Sequence, residues 1–226
     1  TSASPSTVSP SASPTPSPTP TSTTPTPTPD PYPVSALTAD QLAALGPCID
    51  KKVGPGSTGT CAKLALQKLA AAGFKSSTTS ITVAGANAIL NFQRSRGIKG
   101  NAYVGKQTWV ALMTGAPMLP EVIPASCKGK GVVLCVDKAH RKLTYFKDGK
   151  AVKSIAIRVG GWNEHPKTHE WRVFETVNGM WDVFDKKVSP PSDNYGSGAM
   201  PYSVMFNENM YVHYSSGFAS VGYAGS

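Results

Sequence analysis

The sequence predicts an α+β protein of more than one domain: a small helical bundle, then a mostly β unit, both behind an unfolded tail. Three observations lead there. Residues 1–33 are almost wholly Ser, Thr and Pro. Between about residues 38 and 115, apolar side chains recur at helical spacing, and Gly or Pro closes each run. From about residue 131 the apolar runs shorten to strand length and are parted by turn residues. The expected divisions are 1–33, 34–116 and 121–226.

The tail holds 11 of the chain's 20 prolines, and Asp30 is its one charge. So few apolar side chains cannot offset the entropy of ordering, which keeps such a segment unfolded. Dense Pro biases it toward polyproline II at about 3.1 Å per residue, a reach on the order of 100 Å. Two readings stay open: a stalk, O-glycosylated and holding the folded part off a membrane, or a passive spacer.

The helices follow in order. Thr38 with Gln41 three residues later is a capping-box pattern that opens Ala39 to Leu45, and Gly46-Pro47 ends it. Cys61 to Ala72 reads as a second helix, with Leu66 and Leu69 on one face and Gly73 at the left-handed position after its end. Val83 to Arg96 reads as a third, capped by Thr82, striped by Ile89 and Phe92 and stopped by Gly97. Thr108 to Met113 is a short fourth, carrying Trp109 and Leu112. Core packing is the plain reading of all these apolar residues.

Pro117 to Pro124 reads as a linker. Gly131–Val136, Lys142–Phe146 and Ala151–Val159 then read as strands, with Asp148-Gly149 as a two-residue hairpin turn between the last two. Trp171–Phe174 and Met180–Phe184 read as two more. Residues 185–199, rich in Pro, Gly, Ser and Asn, read as a groove-lining loop. Met210 to His213 alternates as a strand does, which puts Tyr211 and His213 on one face. His213 ends that strand beside a flexible stretch, a suitable place for a proton carrier or for a hydrogen-bonded structural histidine.

The formal charge is +9. Residues 34–120 hold nine Lys/Arg against Asp40 and Asp50, so the excess sits on the helical part. Attraction to an anionic partner follows. Four cysteines without a C-x-x-C pair argue against a zinc ribbon or a thioredoxin site, and for two disulfides in an oxidising compartment. Of three possible pairings, Cys48–Cys61 and Cys127–Cys135 are preferred because each closes a short Gly-containing segment. Nucleic acid is disfavoured as the anion, since aromatics are not interleaved with the basic residues. No run of 18 apolar residues occurs, so a membrane connection would need an upstream anchor. The absent initiating Met suggests a processed or truncated N-terminus. His165 and His169 have a metal-ligand spacing, but Pro166 opposes a helix there and no third ligand is in view. Cys127, in a basic stretch, is a better thiol nucleophile than Cys135 in its apolar run.

Leu66-Gln67, Gly73-Phe74, Ala88-Ile89, Phe92-Gln93, Gly97-Ile98, Val104-Gly105 and Thr108-Trp109 to Leu112 together resemble the type 1 peptidoglycan-binding domain, a small helical bundle. The resemblance covers about residues 38–115. Asn101-Ala102 stands where that family has an Asp-Gly turn. Further on, Asp137 to Leu143, Tyr145, Asp148-Gly149-Lys150 and Val159-Gly160-Gly161 resemble the opening of the L,D-transpeptidase (YkuD-type) catalytic domain. Met200-Pro201-Tyr202, Phe206, Tyr211-Val212-His213-Tyr214-Ser215 and the Gly-containing segment to Ser226 resemble its later part. His165 to Glu170 departs from the family's Thr-Pro-x-Gly, so no site residue is carried over from it.

The resemblance implies a β sandwich and cysteine-dependent acyl transfer that cross-links peptidoglycan stem peptides. It implies no cofactor and no metal. His213 matches the proton donor and acceptor, its ring held by a carbonyl or hydroxyl of Tyr214 or Ser215. Met200 and Tyr202, with Tyr214 and Ser215, would line the substrate groove. The family's Ser/Thr-His-Gly-Cys motif lies roughly 16 to 18 residues after the histidine. The sequence ends 13 residues after His213, so the nucleophile is expected beyond Ser226 and the 226 residues are expected to be inactive alone. The implied partners are stem peptides, glycan and anionic wall polymers, and the implied location is extracytoplasmic, at a bacterial wall or surface. The alternative is a non-catalytic wall-binding protein with a degenerate β domain.

Overall fold

The computed structural model describes residues 30–191, 196, 198–208 and 210–215. The tail to residue 29, parts of the 185–199 loop and the segment after Ser215 lie outside the described residues. Four helices come first, followed by eight strands in antiparallel sheets, an α+β arrangement.

The first helix, α1 (Ala39–Leu45), occupies the residues that its capping box delimits. Thr38 Oγ1 accepts from the Gln41 amide at 3.2 Å, and the Gln41 side chain accepts from the Thr38 amide at 3.0 Å. These two bonds satisfy donors that a helix start leaves orphaned. A 3₁₀ turn, Gly46–Asp50, carries Cys48, and the Cys48–Cys61 disulfide ties that turn to α2 (Gly59–Ala71). Gly73, at φ +89°, then lets the chain fold back so that the Phe74 amide reaches the Leu69 carbonyl. In α3 (Val83–Ser95), Thr82 holds the N-cap position but its side chain makes no capping bond, contrary to the expectation. The last helix, α4 (Lys106–Thr114), starts earlier than the apolar pattern suggests, because Gly105 rather than Thr108 marks the entry.

The core lies among these helices. Trp109, Phe92, Leu69, Ile81, Ile89 and Leu90 are fully buried. Each such side chain contributes about 1.5–3 kcal/mol relative to exposure. Phe74 and Phe92 meet edge to face at 5.7 Å.

A 3₁₀ turn, Ala125–Lys128, is tied by the Cys127–Cys135 disulfide to β1 (Val132–Asp137). Beside β1 run β2 (Lys142–Lys147) and then β3 (Lys150–Ala156), in the order β1-β2-β3. The Asp148-Gly149 turn has φ +48° and +78°, the sign pattern that matches strand twist. A second sheet pairs β4 (Trp162–Glu164) with β5 (Trp171–Val173). A third joins β6 (Asp185–Lys187), β7 (Ser203–Asn207) and β8 (Met210–Val212). Met180–Phe184 is not a strand, contrary to expectation. The Phe184 amide donates to the Met205 carbonyl at 3.1 Å, but the ladder itself begins where Asp185 meets Met205, inside the stretch read as loop. No described helix is long and apolar enough to cross a membrane.

The helices and the β4–β5 ribbon dock through α3. Asn87, 2% exposed, presents its amide to the backbone of one residue of β4. Its Nδ2 donates to the Trp162 carbonyl at 3.1 Å, and its Oδ1 accepts from the Trp162 amide at 2.8 Å. Trp162 and Val173 pack on the helical core. Nearby, Glu175 accepts from Arg94 of α3 and from Lys138 of the β1–β2 turn, both at 2.7 Å. Desolvation alone would push the Glu175 carboxyl up, but the Lys138 and Arg94 hydrogen bonds and charges outweigh it and hold it below the usual range.

Two outcomes follow from this docking. Asn87→Ala strands the Trp162 N–H and C=O, a loss of about 1–3 kcal/mol. Urea unfolding will show it, and amide exchange at Trp162 will accelerate. Unchanged exchange there would contradict the pairing. A depressed carboxyl contributes stability above its unfolded pKa of about 4.3 and loses it as pH falls through the folded value. Glu175→Gln is therefore less stable than wild type at pH 7, and the gap closes in acid, as melting curves from pH 7 to pH 2 will show. A gap that widens in acid would be inconsistent with this.

Candidate functional site

Two neighbouring stretches form the site, Met200–Tyr202 before β7 and His213–Ser215 after β8. The β7–β8 pairing places Val204 opposite Val212 and Met205 opposite Tyr211. Continuing past Val212, the Tyr214 amide donates to the Pro201 carbonyl at 2.9 Å. That bond joins the two stretches backbone to backbone, although 13 positions separate the bonded residues.

Local turn chemistry shapes the first stretch. Tyr202 has φ +55°, a left-handed conformation that bulky residues rarely adopt. Bonds on both sides hold it. The Tyr202 amide donates to the Val188 carbonyl at 2.7 Å, and the buried Ser203 donates from Oγ to the Met200 carbonyl at 2.6 Å. The Tyr202 ring is thereby left 67% exposed, and the Tyr214 ring is 57% exposed. Met200 is half-buried.

His213 is exposed, directly after β8. Its Nδ1 lies 2.8 Å from the Tyr214 carbonyl oxygen. A carbonyl can only accept, so Nδ1 carries the hydrogen. In the neutral ring, Nε2 then keeps the lone pair and is the atom able to take a proton. Ser215 accepts at Oγ from the Arg158 guanidinium, which arrives just beyond β3. Arg158 thus ties the first sheet to the histidine loop, and it was not singled out from the sequence. The available signal was one charge between Ile157 and Val159, before Gly160-Gly161. Gly160 has a clear reason to be Gly: a Cβ there would lie 1.9 Å from the Phe174 carbonyl oxygen.

The other candidates lie elsewhere. All four cysteines are in disulfides, with Cα separations of 5.4 Å for Cys48–Cys61 and 5.9 Å for Cys127–Cys135. Cys127 and Cys135 are therefore not free nucleophiles, and no described cysteine is free. His165 and His169 bond within the β4–β5 turn. His165 Nδ1 accepts from the Lys167 and Thr168 amides, and His169 Nδ1 donates to Glu164 Oε1 at 2.8 Å. Among the described residues no group of three or more His, Cys, Asp or Glu is placed to hold a metal ion.

No protein-family model matches the chain, and no curated protein matches it. Solved structures do. The chain is similar to the L,D-transpeptidase of Xylanimonas cellulosilytica, with 24% identity over 74% of this chain and 79% of that one, at a TM-score of 0.36. It is similar to the L,D-transpeptidase (Yku) of Stackebrandtia nassauensis, with 24% identity over 76% and 78%, at 0.33. A third is a fused Zn-dependent amidase/peptidase and peptidoglycan-binding protein of Clostridium acetobutylicum, with 15% identity over 73% and 80%, at 0.30.

Nitrogen-15 NMR of the histidine rings reads the His213 tautomer directly. At a pH where the ring is neutral, Nδ1 should appear as the protonated nitrogen and Nε2 as the acceptor. The reverse assignment would break the link to the Tyr214 carbonyl.

Proposed function

We propose that the protein is a peptidoglycan L,D-transpeptidase, with residues 121–226 belonging to its catalytic domain and residues 34–116 to a wall-binding domain. The carrying observation is the His213 imidazole, oriented by the Tyr214 carbonyl, with Nε2 left as the proton acceptor beside the Met200–Tyr202 turn.

In this reading Nε2 draws the proton from a cysteine thiol. The thiolate attacks the carbonyl between the third residue of a stem tetrapeptide and its terminal D-Ala. The imidazolium returns the proton to the leaving amine, and D-Ala departs. A side-chain amine of a neighbouring stem then takes the acyl group and frees the thiol. Met200, Tyr202, Tyr214 and Ser215 line the groove. The thiol is the one part that the described residues do not supply, since their cysteines are all paired. The proposal requires a cysteine thiol besides these four, and it predicts no turnover by the 226 residues alone. Two disulfides support an extracytoplasmic setting, where stem peptides and glycan are the partners. The paired cysteines also favour a second reading, a wall-binding protein without catalysis.

Exposure of the protein extended past Ser226 to a carbapenem, followed by mass spectrometry, separates the two. The enzyme reading expects one covalent adduct, its formation slowed about 10²–10⁴-fold by His213→Ala, and none on residues 1–226. A folded extended protein that takes up no carbapenem would leave the wall-binding reading.

A further inference from the structure

The helical part contains a cleft of about 230 Å³, whose lining includes Asp50, Lys51, Lys52, Asn101, Tyr103 and Lys106. Two chain segments form its walls, and three devices fix them. Val53 and Val104 exchange both backbone bonds, at 3.1 and 2.7 Å. The Trp109 indole donates to the Lys51 carbonyl at 3.2 Å. Gln93, 1% exposed, organises the opposite wall. Its Oε1 accepts from the Asn101 and Ala102 amides, while the two hydrogens of Nε2 are shared among Asn101 Oδ1, the Tyr103 carbonyl and Thr108 Oγ1, all within 3.1 Å. Those bonds hold Ala102 at φ +63°, in the turn where Asn101-Ala102 departs from the Asp-Gly pattern.

The Tyr103 ring is wedged as part of that wall. A Cβ at Gly54 would come within 2.1 Å of it, so only glycine lets the ring lie there. The Lys52 ammonium sits 4.3 Å from its centroid, and the Trp162 ring of β4 meets it edge to face at 5.8 Å. Lys51, Lys52 and Lys106 supply the charge, and Asp50 offsets part of it through a 3.0 Å contact with Lys106. Exposed ammonium groups beside a rigid phenol form a receptor for oxyanions attached to a polymer, and lysine accepts carboxylate and phosphate alike as a point charge.

We infer that this cleft is where the helical part grips the wall, by binding the oxyanions of an anionic wall polymer. The inference rests on the proposed wall-binding role and adds its location and its chemistry. Two sources carry such groups, the carboxylates of stem peptides and the phosphodiesters of accessory wall polymers.

The test is co-sedimentation of the full chain with purified walls, either intact or stripped of phosphodiester polymer. The cleft variant is Lys51→Gln/Lys52→Gln/Lys106→Gln. The control, Lys63→Gln/Lys75→Gln/Lys153→Gln, removes equal charge elsewhere. The cleft variant should bind about tenfold more weakly at low salt, and the control should stay near wild type. Retained binding to stripped walls assigns carboxylates, and its loss assigns phosphodiesters. Equal weakening of both variants, or of neither, overturns the cleft. Both variants should melt like wild type, and the cleft variant of the extended protein should still form a carbapenem adduct at the wild-type rate. Failure of the adduct with wall binding intact would count against the catalytic reading and leave the cleft standing.

Discussion

One side-chain amide couples the two halves of this structure. Asn87 on α3 offers a donor and an acceptor on one amide, and the backbone C=O and N–H of Trp162 in β4 take them. A buried peptide without partners is costly, so the strand must dock on the helix rather than beside it. The same residue, Trp162, carries the ring that braces Tyr103, while Arg94 and Lys138 close on Glu175 nearby. Burial, pairing and charge thus meet at one seam. Its consequence is geometric: the basic cleft on the helices and the strands that lead toward Arg158 share a fixed frame.

The histidine is positioned by the opposite end of the β part, with little help from a core. β3 is exposed along its length, and β6 to β8 are held chiefly by their own ladder. What orients the imidazole is a short chain of hydrogen bonds: Val188 to Tyr202, Pro201 to Tyr214, and Tyr214 back to His213 Nδ1. Arg158 fastens the next residue, Ser215. Such a site is open to solvent, with His213, Tyr202 and Tyr214 all exposed.

Much of the fold was legible because it is local. The Thr38/Gln41 box, the Gly73 turn and the Asp148-Gly149 hairpin each declare themselves within four residues. β4 (Trp-Asn-Glu) and β6 (Asp-Lys-Lys) hold a single apolar residue between them, so β4 went unseen and β6 was read as loop, whereas the equally short β5 and β8 showed in their apolar side chains. Met180–Phe184 shows the converse: strand-like composition makes no strand where the ladder only starts at its end, next to Phe184. Gln93 stood out only as part of the Phe92-Gln93 pair, since its role depends on amides eight and nine positions away. Asn87 and Trp162 stand 75 residues apart, and no local pattern links them. At the site, His213 was visible from its place at a strand end, whereas Arg158 acts across 57 residues and left no spacing to read.

The central claim is that the His213 imidazole carries the proton in acyl transfer, and chemical rescue tests it most directly. In His213→Gly of the protein extended past Ser226, the rate of carbapenem acylation should collapse and then climb with added free imidazole, while the wild-type rate stays flat. A His213→Gly protein that acylates at the wild-type rate without imidazole would contradict the claim.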